Sequence, residues 1–185
     1  LDYLNHGNVK VVYGLISDTG LVCEVEAGTC YLAKKSVSIL GDSISTYDGW
    51  SNNVEHNSTM GSNFIFYSPT NPHKAGADFP VENTWWYKAS HNSEFQFCVN
   101  NSVSGSRVNM EASHVTRPQN LHNTTTGQTP DVIIIYIGIN DWAASVPLGS
   151  YDGTGELPTT LYYFSEMYAN IIKQARQAYP DVEIY

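Results

Sequence analysis

Asp131-Val132-Ile133-Ile134-Ile135-Tyr136-Ile137 is a continuous apolar run behind a single acid, with no alternation between polar and apolar positions. A strand with one wet face alternates, whereas one covered on both faces does not, so this run reads as the central parallel strand of an α/β sheet. Two shorter stretches fit beside it: Val37-Ser38-Ile39-Leu40, ending at Gly41, and Phe95-Gln96-Phe97-Cys98-Val99, ending at Asn100-Asn101. Downstream, apolar residues at Leu161, Phe164, Tyr168, Ile171, Ile172, Ala175 and Ala178 recur at helical spacing. Pro158 and Tyr179-Pro180 bound that helix, because proline suits a first turn and stops a helix that reaches it. Asp181 to Tyr185 then opens another strand. Alternating strands and helices predict a three-layer α/β sandwich with a mostly parallel central sheet, whose functional residues sit on loops at the carboxyl ends of the strands.

Ahead of this region, Val9–Ile16 and Leu21–Ala27 flank the turn Asp18-Thr19-Gly20 and read as a β-hairpin or meander. The chain therefore divides into a β-rich appendage over residues 1–35, which fits the end of a preceding module, and an α/β domain over 36–185. The Ser/Asn-rich stretch from Asn57 to Asn71 reads as a long insertion.

The 185 residues are 42% hydrophobic and 15% charged, as in a folded chain rather than a disordered one. A formal net charge of −9 repels polyanions. The one adjacent basic pair, Lys34-Lys35, reads as a solvated strand end, so nucleic acid is not an expected partner. No run approaches the roughly 20 apolar residues that span a bilayer. The opening Leu1-Asp2-Tyr3-Leu4 has no basic leader pattern, as would be equally true of a processed secreted protein or a piece of a longer one. Three cysteines, Cys23, Cys30 and Cys98, without a Cys-x-x-Cys spacing give no metal or redox signature. Cys23 and Cys30 flank a turn and fit either a disulfide or two buried thiols.

Each predicted strand is followed by residues suited to chemistry. After the first comes Gly41-Asp42-Ser43-Ile44-Ser45, where a serine on a strand-to-helix turn points its hydroxyl outward and offers its backbone N–H. After the second comes Asn101-Ser102-Val103-Ser104-Gly105-Ser106, where a glycine lets a backbone N–H approach a ligand. After the third comes Gly138-Ile139-Asn140-Asp141, which sets a carboxamide donor at the same sheet edge. Asp42 and Asp141 read as turn and helix-capping carboxylates.

Taken in order, Gly41-Asp42-Ser43, Val103-Ser104-Gly105 and Gly138-Ile139-Asn140-Asp141 resemble the first three blocks of the SGNH hydrolases, the GDSL-type esterases. Their neighbours are similar to the lipase/acylhydrolase branch, and the likeness runs from about Ser36 to Tyr185. It implies a flavodoxin-like fold and a serine ester hydrolase acting without metal or organic cofactor. Ser43 would be the nucleophile; the Ser43 N–H, the Gly105 N–H and the Asn140 carboxamide would form the oxyanion hole. A short acyl group such as acetate, carried on a carbohydrate or another small ester, is the expected substrate, and a secreted or cell-surface bacterial location goes with it.

The family's fourth block, an Asp-x-x-His that supplies the base and its orienting aspartate, has no match in the chain. Losing such a histidine costs about six decades of kcat, roughly 8 kcal/mol. The expectation is therefore that the hydrolase domain is incomplete at its C-terminus and continues in the same polypeptide or in a second chain, and that these 185 residues alone are nearly inert. The six histidines, His6, His56, His73, His91, His114 and His122, read as exposed or hydrogen-bonded loop side chains. Of the four tryptophans, Trp50 and Trp142 are candidates for lining the site, while Trp85 and Trp86 read as core. Two rivals remain at this level: a non-catalytic carbohydrate-binding module on a hydrolase scaffold, and a flavodoxin-like phosphate binder using Gly41–Ser45 as an anion-binding turn.

Overall fold

The computed structural model describes residues 34–51, 65–68, 79–92, 94–108, 117–157 and 161–185. The predicted hairpin between Val9 and Lys34, Cys23, Cys30 and most of the Asn57–Asn71 insertion lie outside those residues.

Four parallel strands form one sheet in the order β2-β1-β3-β4: β1 Lys35–Gly41, β2 Phe95–Asn100, β3 Val132–Tyr136 and β4 Glu183–Ile184. The apolar run read as central is β3, paired with β1 on one side and β4 on the other. Helices α1 (Trp85–Ser90), α2 (Ile139–Ala143) and α3 (Phe164–Ala178) complete the described elements longer than one turn.

The pleat sorts side chains onto two faces. Leu40, Ile133 and Ile135 pack with Met167, Ile171 and Ala175 of α3, and with Val108, Leu121, Tyr179 and Val182. Val37, Ile39 and Val132 turn the other way, onto Trp86 of α1 and Tyr47. Helix on sheet on helix is thus the expected three-layer arrangement. It explains why β3 shows no alternation: Ile133 is fully buried on one face and Val132 nearly so on the other.

Helix α3 starts at Phe164, three residues after the predicted Leu161. The Phe164 N–H bonds the Pro147 carbonyl at 3.0 Å, and the Glu166 carboxylate accepts from the N–H groups of Tyr162 and Tyr163 at 3.3 and 3.4 Å. Those donors lie at the end of the helix, where no intrahelical carbonyl reaches them. At the other end, Tyr179 stops the helix before Pro180 as expected. Lys35, exposed at the start of β1, pairs with Glu183 of β4.

Ile133 is fully buried in the core beneath α3. Ile133→Ala should lower stability by about 2–5 kcal/mol and Ile133→Val by about 0.5–1.5 kcal/mol, read in urea titrations as a lower midpoint with an unchanged slope. A slope that changed as well would mean that the two faces no longer unfold together.

Candidate active site

Ser43 follows the end of β1, on a turn built by its neighbours. A methyl group on Gly41 would come within 2.5 Å of the Ser45 Oγ, 2.7 Å of its Cβ and 2.9 Å of the Ser102 Oγ, so only glycine lets the strand end pass between those serines. Asp42 caps the turn, its Oδ1 accepting from the Ile44 N–H at 3.0 Å. The Ser43 carbonyl is held inward by the Thr46 N–H at 3.2 Å and the Thr46 hydroxyl at 2.8 Å. The expected helix is only the 3-10 turn Ser43–Ser45, too short for a helix dipole to matter. What Ser43 offers is a half-buried hydroxyl and its own N–H.

The loop after β2 is stitched to β1. Asn101 N–H bonds the Ile39 carbonyl at 2.8 Å and Val103 N–H the Gly41 carbonyl at 3.1 Å. The Ser106 hydroxyl lies within hydrogen-bond distance of two carbonyls, Val103 at 2.7 Å and Gly41 at 3.3 Å. Gly105 sits at φ +80°, a left-handed conformation that favours glycine. Among the described residues, no oxygen accepts from the Ser43 or the Gly105 N–H.

Gly138, at φ +138°, turns the chain from β3 into α2, and its Cα faces the Phe164 ring so closely that a Cβ would lie 3.2 Å from it. Helix α2 then carries Asn140, whose Nδ2 donates to the Ser106 carbonyl at 2.9 Å. A carboxamide has two N–H groups, so one remains to point elsewhere. The next residue, Asp141, is buried and accepts from the Val108 N–H at 2.9 Å. Asp42 thus caps a turn as expected, while Asp141 staples α2 to the loop after β2. Three segments far apart in sequence are fastened to one another at the carboxyl edge of the sheet.

Burial pushes the Asp42 carboxyl above its ordinary value; the Ile44 N–H and the positive charge of Arg117 pull it down, and the Asp141 carboxylate pushes it further up. Arg117 itself went unnoticed in the sequence. It is an almost fully buried cation whose guanidinium donates to the Gly41 and Asn101 carbonyls. A lone arginine in an irregular stretch has no periodic signal.

The tryptophans divide differently from the sequence reading. Trp86 is core, as expected. Trp50 is packed there too, its ring 5.6–5.9 Å, centroid to centroid, from those of Trp86, Tyr87, His91 and Phe97, so it serves the α1 layer rather than the substrate side. Trp142 is 78% exposed, two residues from Asn140. Of the described histidines, His91 stacks on Tyr87 at 3.7 Å and His122 shares a hydrogen bond of 3.0 Å with the Tyr179 hydroxyl. Neither partners Ser43. Glu111 precedes His114 by three residues, an acid-to-histidine spacing that the histidine reading passed over, and both lie outside the described residues. Cys98 is a buried free thiol, raised by desolvation and so poorly reactive. No group of three potential metal ligands occurs among the described residues.

A family model for GDSL-like lipase/acylhydrolase matches residues 35–185. Among solved structures, a candidate GDSL-like lipase from Bacteroides ovatus is 33% identical with a TM-score of 0.64, over 83% of this chain and 72% of that one. A candidate GDSL-like lipase from Bacteroides uniformis is 34% identical with a TM-score of 0.63, over 82% of this chain and 70% of its own. No curated protein matches the chain.

The position of Asp42 gives a signed pH effect. A carboxyl raised on folding favours the folded state while protonated; that contribution is full below its ordinary value of 3.8 and is lost as pH climbs through the raised value. Asp42→Asn keeps a capping oxygen and removes the titration. Across urea titrations from pH 3 upward, the stability of the variant relative to the parent should rise through that window and then level off. A relative fall would show that the Ile44 N–H and Arg117 together outweigh desolvation at Asp42.

Proposed function

The chain belongs to the GDSL-like lipase/acylhydrolase family and is a carboxylic ester hydrolase; from that premise we propose that it works through an acyl-enzyme on Ser43. The Ser43 hydroxyl attacks the ester carbonyl, and the resulting oxyanion is met by the N–H groups of Ser43 and Gly105 and by the free N–H of the Asn140 carboxamide. The observation that carries this reading is the bond from Asn140 to the Ser106 carbonyl, which puts the carboxamide against the residue that follows Gly105. Two unused backbone donors at the same edge support it. Each donor aimed at a developing oxyanion is worth about 2.7–4 kcal/mol of barrier.

The base is proposed to be a histidine delivered, with its aspartate, by sequence outside these 185 residues, in the same polypeptide or a second chain. Neither described histidine is aimed at Ser43, and the chain contains no Asp-x-x-His. For the substrate we propose a short acyl ester, acetyl above all, on a carbohydrate or similar small alcohol, with the exposed Trp142 ring offering a face on which a sugar can stack. These neutral N–H donors meet the oxyanion in this reading without a metal.

With p-nitrophenyl acetate and the intact parent protein, Ser43→Ala should abolish turnover and Asn140→Ala should lower kcat by roughly 10² to 10³ at little cost to folding. Full activity in either variant would remove that residue from the mechanism. Ligand affinity for acetylated sugars without any turnover in the parent would favour a binding module on the same scaffold.

The source of the base is tested separately. The 185-residue polypeptide should show turnover lower by about six decades than the parent. Appreciable turnover that disappears in His114→Ala would place the base inside the chain instead.

A further inference from the structure

We propose that Arg117 is a positioning residue for the ester hydrolysis, a buried clamp that sets the Ser43 turn and the Gly105 loop relative to each other. This rests on the reading of Ser43 and Gly105 given above, and goes beyond it in naming what fixes their separation.

Arg117 is 1% exposed, and its guanidinium lies between the carboxyl ends of β1 and β2. Its Nη2 donates to the Gly41 carbonyl at 2.8 Å and to the Asn101 carbonyl at 2.9 Å, and its Nε donates to the same Asn101 carbonyl at 3.2 Å. Gly41 is two residues before Ser43; Asn101 is four before Gly105. The planar fork of an arginine holds such a pair of oxygens at a fixed spacing, which a lysine's single ammonium cannot do. The clasp is reciprocal, since the Asn101 Nδ2 donates back to the Arg117 carbonyl at 3.4 Å and to that of Asn120 at 3.2 Å.

Arg117 is itself anchored to the helical layer. It opens the 3-10 turn Arg117–Gln119, whose Gln119 carbonyl accepts from the Tyr179 hydroxyl at 2.8 Å. The Gln119 side chain also bonds Gln174 of α3 at 3.3 Å. The clamp thus refers both donor-bearing segments to the rigid face of the domain.

An oxyanion hole needs its donors placed to within a fraction of an ångström, and a displacement of about 1 Å can cost 10²-fold in rate. In the intact parent enzyme, Arg117→Met should therefore lower kcat for p-nitrophenyl acetate on the order of a hundredfold with KM little changed. Arg117→Lys should recover part of that loss, because one ammonium can satisfy one of the two carbonyls. Hydrogen–deuterium exchange supplies a readout independent of turnover: peptides covering 41–47 and 101–108 should lose protection together in Arg117→Met, while α3 keeps its own.

A folded Arg117→Met enzyme with parental kcat would overturn the proposal. So would loss of protection confined to one of the two segments, or a loss in kcat matched by an equal rise in KM. If Arg117→Met does not fold, Arg117→Lys decides, and parental kcat with parental exchange in that variant ends the idea. Should Ser43→Ala retain turnover, the catalytic reading fails on its own, and the paired exchange in 41–47 and 101–108 still reports whether the clamp exists.

Discussion

The Gly41 carbonyl, at the last residue of β1, is the point on which this sheet edge depends. It is within hydrogen-bond distance of the Val103 N–H, the Arg117 guanidinium and the Ser106 hydroxyl. One oxygen thereby joins the strand that leads into Ser43, the loop that carries Gly105 and the cation that ties both to the helical layer. A buried carbonyl costs free energy unless paired, so these donors are strongly recruited, and recruiting them fixes the loop. The absence of a side chain on Gly41 is part of the same constraint, because a Cβ there would occupy the space of Ser45 and Ser102.

The sequence carried the parts of the fold that repeat. Strand β3 was legible because burial on two faces leaves an unbroken apolar run, and α3 because its buried residues return every three or four positions. Its start was displaced because Glu166, folding back onto two N–H groups, decides the first turn; such a cap is one residue long and has no period. Helix α1 was not foreseen at all. It has six residues, is capped by the Thr84 hydroxyl at 3.3 Å, and owes its place to the burial of Trp86, a tertiary fact. Short elements of this kind take their stability from packing rather than propensity.

The three motif segments were legible as an ordered set, since each follows a strand, yet their fastening was not. The Asn140 to Ser106 bond, the Asp141 to Val108 bond and the Arg117 clamp all join residues more than ten apart through side chains whose partners are backbone atoms. Backbone atoms are the same at every position, so no residue pattern marks them. Trp50 went astray for a related reason: nearness in sequence to Ser43 suggested the mouth of the site, but the chain turns through Tyr47, whose N–H bonds the Ser51 hydroxyl at 2.8 Å, and delivers the ring to the opposite layer.

The way hydrogen bonds are distributed around Ser43 suits the proposed site for a transient anion. Carbonyls at this edge carry several donors each: Gly41 as described, Ser43 with two from Thr46, and Asn101 with two from Arg117. The N–H groups of Ser43 and Gly105 carry no acceptor among the described residues. Had those acceptors been free to rotate toward the N–H groups, the peptides would have closed on each other and the donors would be spent in the ground state. The Asp42 carbonyl, which shares a peptide plane with the Ser43 N–H, accepts from the Ser45 N–H at 3.1 Å, so that plane is fixed by the turn itself. In the proposed mechanism such fixed donors need no reorganisation when charge develops, and prior arrangement of this kind is what makes an oxyanion site effective.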